Sequence, residues 1–173
     1  QQQEKRRSDF IRDIITGHYT EEDILRRSTS IECNIAKVDG CIVLDIRDFK
    51  HLAQRNKENA LLSLKNRFFE RVRDELSTLA GDSICCSFSD KVVVLYIPDP
   101  SGNPPIMQAA RTLQRALKAQ LDLDVSIGVG CRCKGIGSIK ESYETARLAL
   151  RIAVSSLVDV PCVDSESYPV YMT

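Results

Sequence analysis

Residues 83–97 decide the fold, and they read SICCSFSDKVVVLYI. In this stretch, two apolar runs at residues 83–88 and 92–97 are separated by the short polar turn Ser89-Asp90-Lys91. Two apolar runs joined by a short polar turn are typical of a β-hairpin. The sequence therefore predicts two adjacent antiparallel strands in the middle of the chain.

A strand and a long helix precede the predicted hairpin. Gly40–Ile46 is a near-continuous apolar run, which is typical of a central strand that is covered on both faces. Residues 56–79 are predicted to form a helix. Its inner stripe consists of apolar side chains at helical spacing, namely Leu61, Leu64, Phe68, Val72 and Leu76.

A helix and a strand follow the hairpin. The proline-rich residues 98–105 predict a loop. Ile106–Leu121 has the apolar spacing of a helix, and residues 125–130 predict a strand. The order strand, helix, hairpin, helix, strand is that of the split βαβ, ferredoxin-like arrangement.

A final helix and strand complete the predicted sheet. Residues 138–156 form the helix, with Ser138 and Glu141 at the spacing of a capping box. Residues 160–163 predict the last short strand. Right-handed crossovers place both long helices on one face. We therefore predict an α+β fold with an antiparallel-centred sheet flanked by helices.

Residues 1–30 predict a helical arm ahead of a main domain at residues 31–165. The first helix has an apolar stripe and a stop at Gly17. That stripe consists of Phe10, Ile11, Ile14 and Ile15. Thr20 precedes three acidic residues, which is typical of the start of a second helix. Because amphipathic arms commonly form two-fold interfaces, we expect a homodimer held at least partly by residues 4–28.

Composition excludes several functional classes. Lys plus Arg and Asp plus Glu both number 24, so this segment lacks the basic excess that DNA binding needs. No apolar run approaches the roughly 18 residues of a membrane span. The seven cysteines, an odd number without a secretory signal, favour reduced thiols in a cytoplasmic protein. Most lie in apolar runs, where we expect them to be buried and to bind no metal.

Three segments resemble the diguanylate cyclase (GGDEF) family. Residues 44–50 read LDIRDFK and are similar to the family's first-strand motif, Asp-x-Asp-x-Phe-Lys. Residues 89–98 occupy the place of the GGDEF signature and its trailing strand. Residues 125–129 read VSIGV and are similar to the later Ser-Ile-Gly-Val strand. The resemblance covers roughly residues 38–165 and implies a nucleotide-cyclase (GGDEF-like) fold.

A narrower resemblance points to bacterial regulators of sugar diacid utilisation and purine catabolism. Residues 142–146, which read SYETA, are similar to their Ser-Tyr-x-x-Ala helix, and residues 10–17 resemble their Leu-Leu-x-Gly helix. In that family a GGDEF-like domain lies between a sensor and a helix-turn-helix. The resemblance implies that residues 166–173 lead toward a DNA-binding domain outside this chain.

The residues at the cyclase positions predict that the chain is not an enzyme. A cyclase holds divalent metal with one carboxylate from the first strand and one from the hairpin turn. Asp45 retains the first, but Lys91 takes an acidic position of the turn, and Arg47 stands where the family usually has an acid. If the alignment shifts by one, Asp90 meets the family's Asp, yet Lys91 then occupies the glutamate position. We expect no catalytic residue, cofactor or metal.

Two functions remain open at this point. The first is a non-catalytic domain that relays a signal and dimerises within a transcriptional regulator, with DNA contacted by a helix-turn-helix elsewhere. The second is a sensor that binds a small molecule or a nucleotide in the remnant of the cyclase cleft. Its weak candidate contacts are Asp45, Lys50 and Lys91, with Lys50 in the place of the family's phosphate-contacting lysine.

Overall fold

Five strands form one sheet in the computed structural model, which describes residues 2–55, 57–155 and 162–166. The strands are β1 (Gly40–Ile46), β2 (Ile84–Phe88), β3 (Lys91–Tyr96), β4 (Val125–Val129) and β5 (Cys162–Asp164). Their order is β2-β3-β1-β4-β5. All neighbours are antiparallel except β4 and β5, which run parallel. The predicted α+β, antiparallel-centred sheet is confirmed.

The hairpin forms where the sequence predicts it. Phe88 pairs with Lys91, so the loop itself has two residues, Ser89 and Asp90. Ser89 has a left-handed backbone (φ 59°), a conformation that tight two-residue hairpin loops require and that glycine adopts more readily.

The helices cover both faces of the sheet. They are α1 (Gln2–Thr16), α2 (Glu21–Ser30), α3 (Phe49–Arg55), α4 (Glu58–Leu79), α5 (Ile106–Leu121) and α6 (Ile139–Val154). Helices α4 and α5 share one apolar cluster with residues such as Leu44, Val94 and Ile127. Helices α1 and α6 share the cluster on the opposite face with Val43 and Val93. The two crossover helices therefore lie on one face, as right-handed crossovers predict.

Several predicted helix boundaries need correction. The long helix begins at Glu58, not at residue 56, and a short helix, Phe49–Arg55, precedes it. Leu61 and Leu64 are partly buried, whereas Phe68, Val72 and Leu76 form the buried part of the stripe.

The predicted capping box does not form. Residues 136–138 make a 3-10 turn, so the Ser138 hydroxyl donates to the Gly135 carbonyl oxygen at 2.8 Å. The same hydroxyl accepts the Lys134 N–H at 2.8 Å, and it makes no cap hydrogen bond to the helix. Helix α6 ends at Val154, and β5 starts at Cys162. Residues 156–161 and 167–173 lie outside the described residues.

The N-terminal helices pack against the sheet of the same chain. The apolar stripe of α1 is buried in the cluster with α6, and the stripe consists of Phe10, Ile11, Ile14 and Ile15. Arg12 also donates to the carbonyl oxygen of Ser87 on the edge strand β2 at 2.7 Å. The Thr20 hydroxyl caps α2 by accepting the Asp23 N–H at 3.2 Å. The stripe is thus unavailable to a second copy of the chain.

The seven cysteines are unpaired thiols, and five of them are buried. Burial raises the pKa of Cys33 to about 11 and the pKa of Cys86 to about 12. These thiols behave as small apolar side chains, as their positions in apolar runs predict. Among the described helices, none combines the length and the apolarity needed to cross a membrane.

Helix α6 lies unusually close to β4. A Cβ added at Gly128 would overlap the carbonyl oxygen of Ala146, and one added at Gly130 would overlap that of Ser142. The Ser142 hydroxyl accepts the N–H of Cys41 at 2.9 Å and donates to the carbonyl oxygen of Cys131 at 2.6 Å. The Ser-Tyr-x-x-Ala pattern is therefore a packing motif that joins α6 to two strands.

We expect Gly128→Ala to destabilise the fold by at least about 3 kcal/mol, because the added methyl group meets rigid helix backbone. Urea denaturation followed by circular dichroism measures the loss. Gly81→Ala is the matched control, since its added Cβ would lie 3.4 Å from the Ser77 carbonyl oxygen in ordinary contact. The control should change stability by less than about 1 kcal/mol. Equal stability of the two variants would contradict the close packing.

Candidate functional site

A row of polar side chains crosses three strands at one end of the sheet. Lys91 on β3 pairs with Asp45 on β1, and Asp45 pairs with Ser126 on β4. Directly paired residues of antiparallel strands place their side chains on the same face. This is the face covered by α1 and α6, because Val43 and Val93 belong to that apolar cluster.

Asp45 lies in a surrounding that disfavours its ionised form. Burial is the largest cause and raises the pKa of Asp45, and the nearby Asp90 raises it further. The ammonium group of Lys91 and the N–H of Ile46 act in the opposite direction. Burial prevails, so the Asp45 carboxylate is held at a net energetic penalty in the folded protein.

The turn of the hairpin is held by helix α4. Asp90 forms an ion pair with Lys65, whose ammonium group also lies 5.1 Å above the ring centre of Phe49. If the alignment shifts by one residue, Asp90 falls at a metal-binding position. In the structure Asp90 pairs with Lys65 instead, and Lys65 lies on the opposite side of the sheet from Asp45. Lys91 and Asp90 line a separate hollow beneath the turn, together with Lys65.

A cleft of about 540 Å³ opens beside the C-terminal end of β1. We call it the β1 cleft; the residues that line it include Asp45, Asp48, Lys50, His51 and Ser126. Of the three residues that the sequence suggests for this cleft, Asp45 and Lys50 line it, whereas Lys91 pairs with Asp45 across the strands and lines a different hollow. Lys50 is exposed at the rim.

Ser126 is a candidate contact that sequence reasoning missed. It is 0% exposed, and its hydroxyl has no hydrogen-bond partner among the described residues. A buried hydroxyl without a partner is energetically unfavourable, and Ser126 lines the same cleft as Asp45. The signal in the sequence is a single polar residue inside the apolar strand Val125–Val129.

The donors needed for a metal site do not converge. Among the described residues, no group of three or more His, Cys, Asp and Glu side chains is placed to hold a metal ion. Arg47 follows Asp45 in the chain, and its N–H donates to the carbonyl oxygen of Asp124 at 2.8 Å. The β1 cleft combines the carboxylates of Asp45 and Asp48 with the cationic side chains of Arg47 and Lys50.

One of three comparisons with known proteins identifies a family. A family model described as a GGDEF-like domain matches residues 16–152. The search of curated proteins returns no match. Among solved structures, the chain is similar to one described as a bacterial light-regulated adenylyl cyclase, with 17% identity and a TM-score of 0.44. That alignment covers 68% of this chain and 38% of the other chain, so this chain spans well under half of that protein.

We expect Asp45→Asn to raise the melting temperature at neutral pH. The folded-state pKa of Asp45 lies above its unfolded value, so its ionisation destabilises the fold as the pH rises through the raised pKa. Below about pH 3, where the carboxyl group is neutral in both states, this pH-dependent difference between variant and wild type should vanish. Thermal denaturation across the pH range measures it.

Asp48→Asn is the matched control, because Asp48 is exposed two residues beyond the strand, and asparagine tolerates its left-handed backbone (φ 55°). This variant should show no comparable pH-dependent gain. If Asp45→Asn is less stable than wild type at neutral pH, then burial does not outweigh the attraction of Lys91 at Asp45, and the prediction is wrong.

Proposed function

The chain belongs to the family of GGDEF-like domains, and we propose that it is a non-catalytic regulatory domain of a bacterial transcriptional regulator of the sugar diacid type. Its role is to relay a signal and to dimerise, while a helix-turn-helix elsewhere in the protein contacts DNA. The observation that carries the non-catalytic part is the pairing of Lys91 with Asp45 on neighbouring strands.

This pairing places an ammonium group beside Asp45 where a metal-binding pair would need a second carboxylate. Mg²⁺ needs oxygen ligands, and an ammonium group beside Asp45 both lacks a lone pair and repels the cation. Asp90, the other carboxylate of the turn, forms an ion pair with Lys65 in this structure. A triphosphate in the cleft would therefore lack the metal that aligns it for cyclisation.

The regulatory part of the proposal rests on the resemblance of α6 and α1 to regulator motifs. The apolar stripe of α1 is covered by the chain's own sheet, so a dimer contact within residues 4–28 must use other side chains. Leu25 on α2 is a large apolar residue of this segment that is 48% exposed. We assign the dimer contact to the surface of α2 around Leu25.

A second candidate function is supported by the unpartnered hydroxyl of Ser126. A small molecule in the β1 cleft with a hydrogen-bonding group at that depth would satisfy the hydroxyl, and Lys50 at the rim would favour an anionic portion of the same ligand. In that case the domain is a sensor for a nucleotide or another small anion.

We expect the purified domain to form no cyclic nucleotide from GTP or ATP with Mg²⁺ or Mn²⁺. Lys91→Glu should create a carboxylate pair with Asp45 and give Mn²⁺ binding by calorimetry that wild type lacks, because two carboxylates hold a divalent cation far better than one. Lys91→Gln is the matched control and should bind no more Mn²⁺ than wild type. Metal-dependent cyclisation by the wild-type domain would overturn the proposal.

We expect the domain to sediment as a dimer at tens of micromolar, and Leu25→Asp to shift it to monomer, because a charge in an apolar contact opposes association. Leu62→Asp, at an even more exposed apolar position on α4 (60% exposed), is the control and should leave the dimer intact. A wild-type monomer would count against the dimerising role.

Thermal shift measurements separate the sensor function from the relay function. A ligand that binds the native state raises the melting temperature. If the β1 cleft is a sensor site, GTP, a cyclic dinucleotide or the sugar diacid glucarate should raise it, and Ser126→Ala should reduce the shift. No shift with any of these ligands would favour the relay function alone.

A further inference from the structure

A second pocket lies on the far side of the hairpin from the β1 cleft. Its walls are the N-terminal part of α1, the middle of α4 and the start of the edge strand β2, and its volume is about 320 Å³. We call it the β2-edge pocket. That volume falls at the lower end of the range of small-molecule sites, about 300–1,000 Å³.

The wall of the β2-edge pocket is largely apolar. Phe69 and Leu76 on α4 face Ile84 and Cys85 on β2. Burial raises the pKa of Cys85 to about 12, so this side chain is a neutral thiol that adds to the apolar wall. Apolar walls with a few polar groups are typical of ligand sites.

The charges at the rim leave one guanidinium without a partner. Arg73 and Glu4 neutralise each other through an ion pair of 2.7 Å. Arg7, one turn further along α1, makes no hydrogen bond and no ion pair with any described residue. Its Nε atom is buried and has no hydrogen-bond partner. Among the charged residues that line the pocket, Arg7 is thus the one without an ion-pair partner among the described residues, although the carboxylate of Asp82 also acts on the neighbouring Cys33.

Arg7 differs from Arg71 in lacking a partner for its guanidinium, and the nearby Cys33 does not supply one. Arg71 also has a buried Nε without a partner, but its guanidinium contacts Gln120 at 2.5 Å and Glu75 at 3.4 Å. Cys33 lies near enough to Arg7 for the guanidinium to lower its pKa. Burial nevertheless keeps that pKa at about 11, so Cys33 is a neutral thiol and does not balance the charge.

We infer that the β2-edge pocket binds a small monocarboxylate with a short aliphatic body. The carboxylate would accept hydrogen bonds from the Arg7 guanidinium in a planar, two-pronged contact, which is the geometry that arginine offers to carboxylates. The aliphatic body would lie against Phe69, Leu76 and Ile84. One net positive charge and an apolar wall select a monoanion over a phosphate ester or a dianion.

Hexanoate is the probe that tests the inference on the purified domain. We expect a saturable titration in which the methyl signals of Leu76 and Ile84 shift, as followed by NMR. Hexan-1-ol, which has the same apolar body without the charge, should bind about tenfold more weakly or worse, because it loses the charge-assisted contact with Arg7. Equal binding of both probes, or no saturable shift with hexanoate, would overturn the inference.

Substitutions assign the binding to Arg7. Arg7→Gln should weaken hexanoate binding about tenfold and leave hexan-1-ol binding unchanged. Arg6→Gln is the matched control, because Arg6 is an exposed neighbour on the same helix outside the pocket, and it should bind hexanoate like wild type. If Arg7→Gln fails to fold, Arg7→Lys keeps the charge and should retain part of the preference for hexanoate. Unchanged hexanoate binding by either folded Arg7 variant would refute the assignment.

Discussion

The close approach of helix α6 to strand β4 is the constraint on which the rest of the structure depends. It requires positions without side chains at Gly128 and Gly130, where any Cβ would overlap the helix backbone. Once the helix lies this near, the Ser142 hydroxyl can bridge β1 and the chain after β4 through Cys41 and Cys131. Ser126 lies two residues before Gly128 on the same strand and is also fully buried.

The polar row at the end of the sheet follows from this arrangement. Because β1 is held between β3 and β4, Asp45 has Lys91 on one side and Ser126 on the other. Burial raises the pKa of Asp45, while Lys91 offsets part of the penalty of its charge. A protein that keeps an unfavourable carboxylate and an unpartnered hydroxyl side by side retains a polar cleft rather than a filled core. The proposed loss of cyclase chemistry and the candidate sensor role both concern this row.

Helix α1 determines the other surface of interest. It buries its apolar stripe on the sheet and covers the end of the β2 edge through the contact of Arg12 with Ser87, which protects an edge strand from pairing with another chain. Toward its N-terminus the same helix leaves a gap between β2 and α4, and Arg7 faces that gap without a partner. The way α1 packs on the sheet therefore both covers one end of the β2 edge and leaves the β2-edge pocket open at the other end.

Local patterns in the sequence predicted the strands, the hairpin, the crossover helices and the Thr20 cap, because each depends on neighbouring residues and on side-chain periodicity. The expectation that Lys91 stands where a cyclase has a carboxylate came instead from the resemblance to the GGDEF family, because a local pattern alone does not say which residue a position should hold. One local pattern gave a wrong prediction. Ser138 has the spacing of a helix cap, but its hydroxyl hydrogen-bonds to Lys134 and Gly135 of the preceding turn instead of capping α6. The pairing of Asp45 with Ser126, the burial of the α1 stripe and the isolation of Arg7 were decided by tertiary structure alone. Each depends on strand register or helix docking between residues far apart in the chain, and periodicity carries no information about which distant surfaces meet.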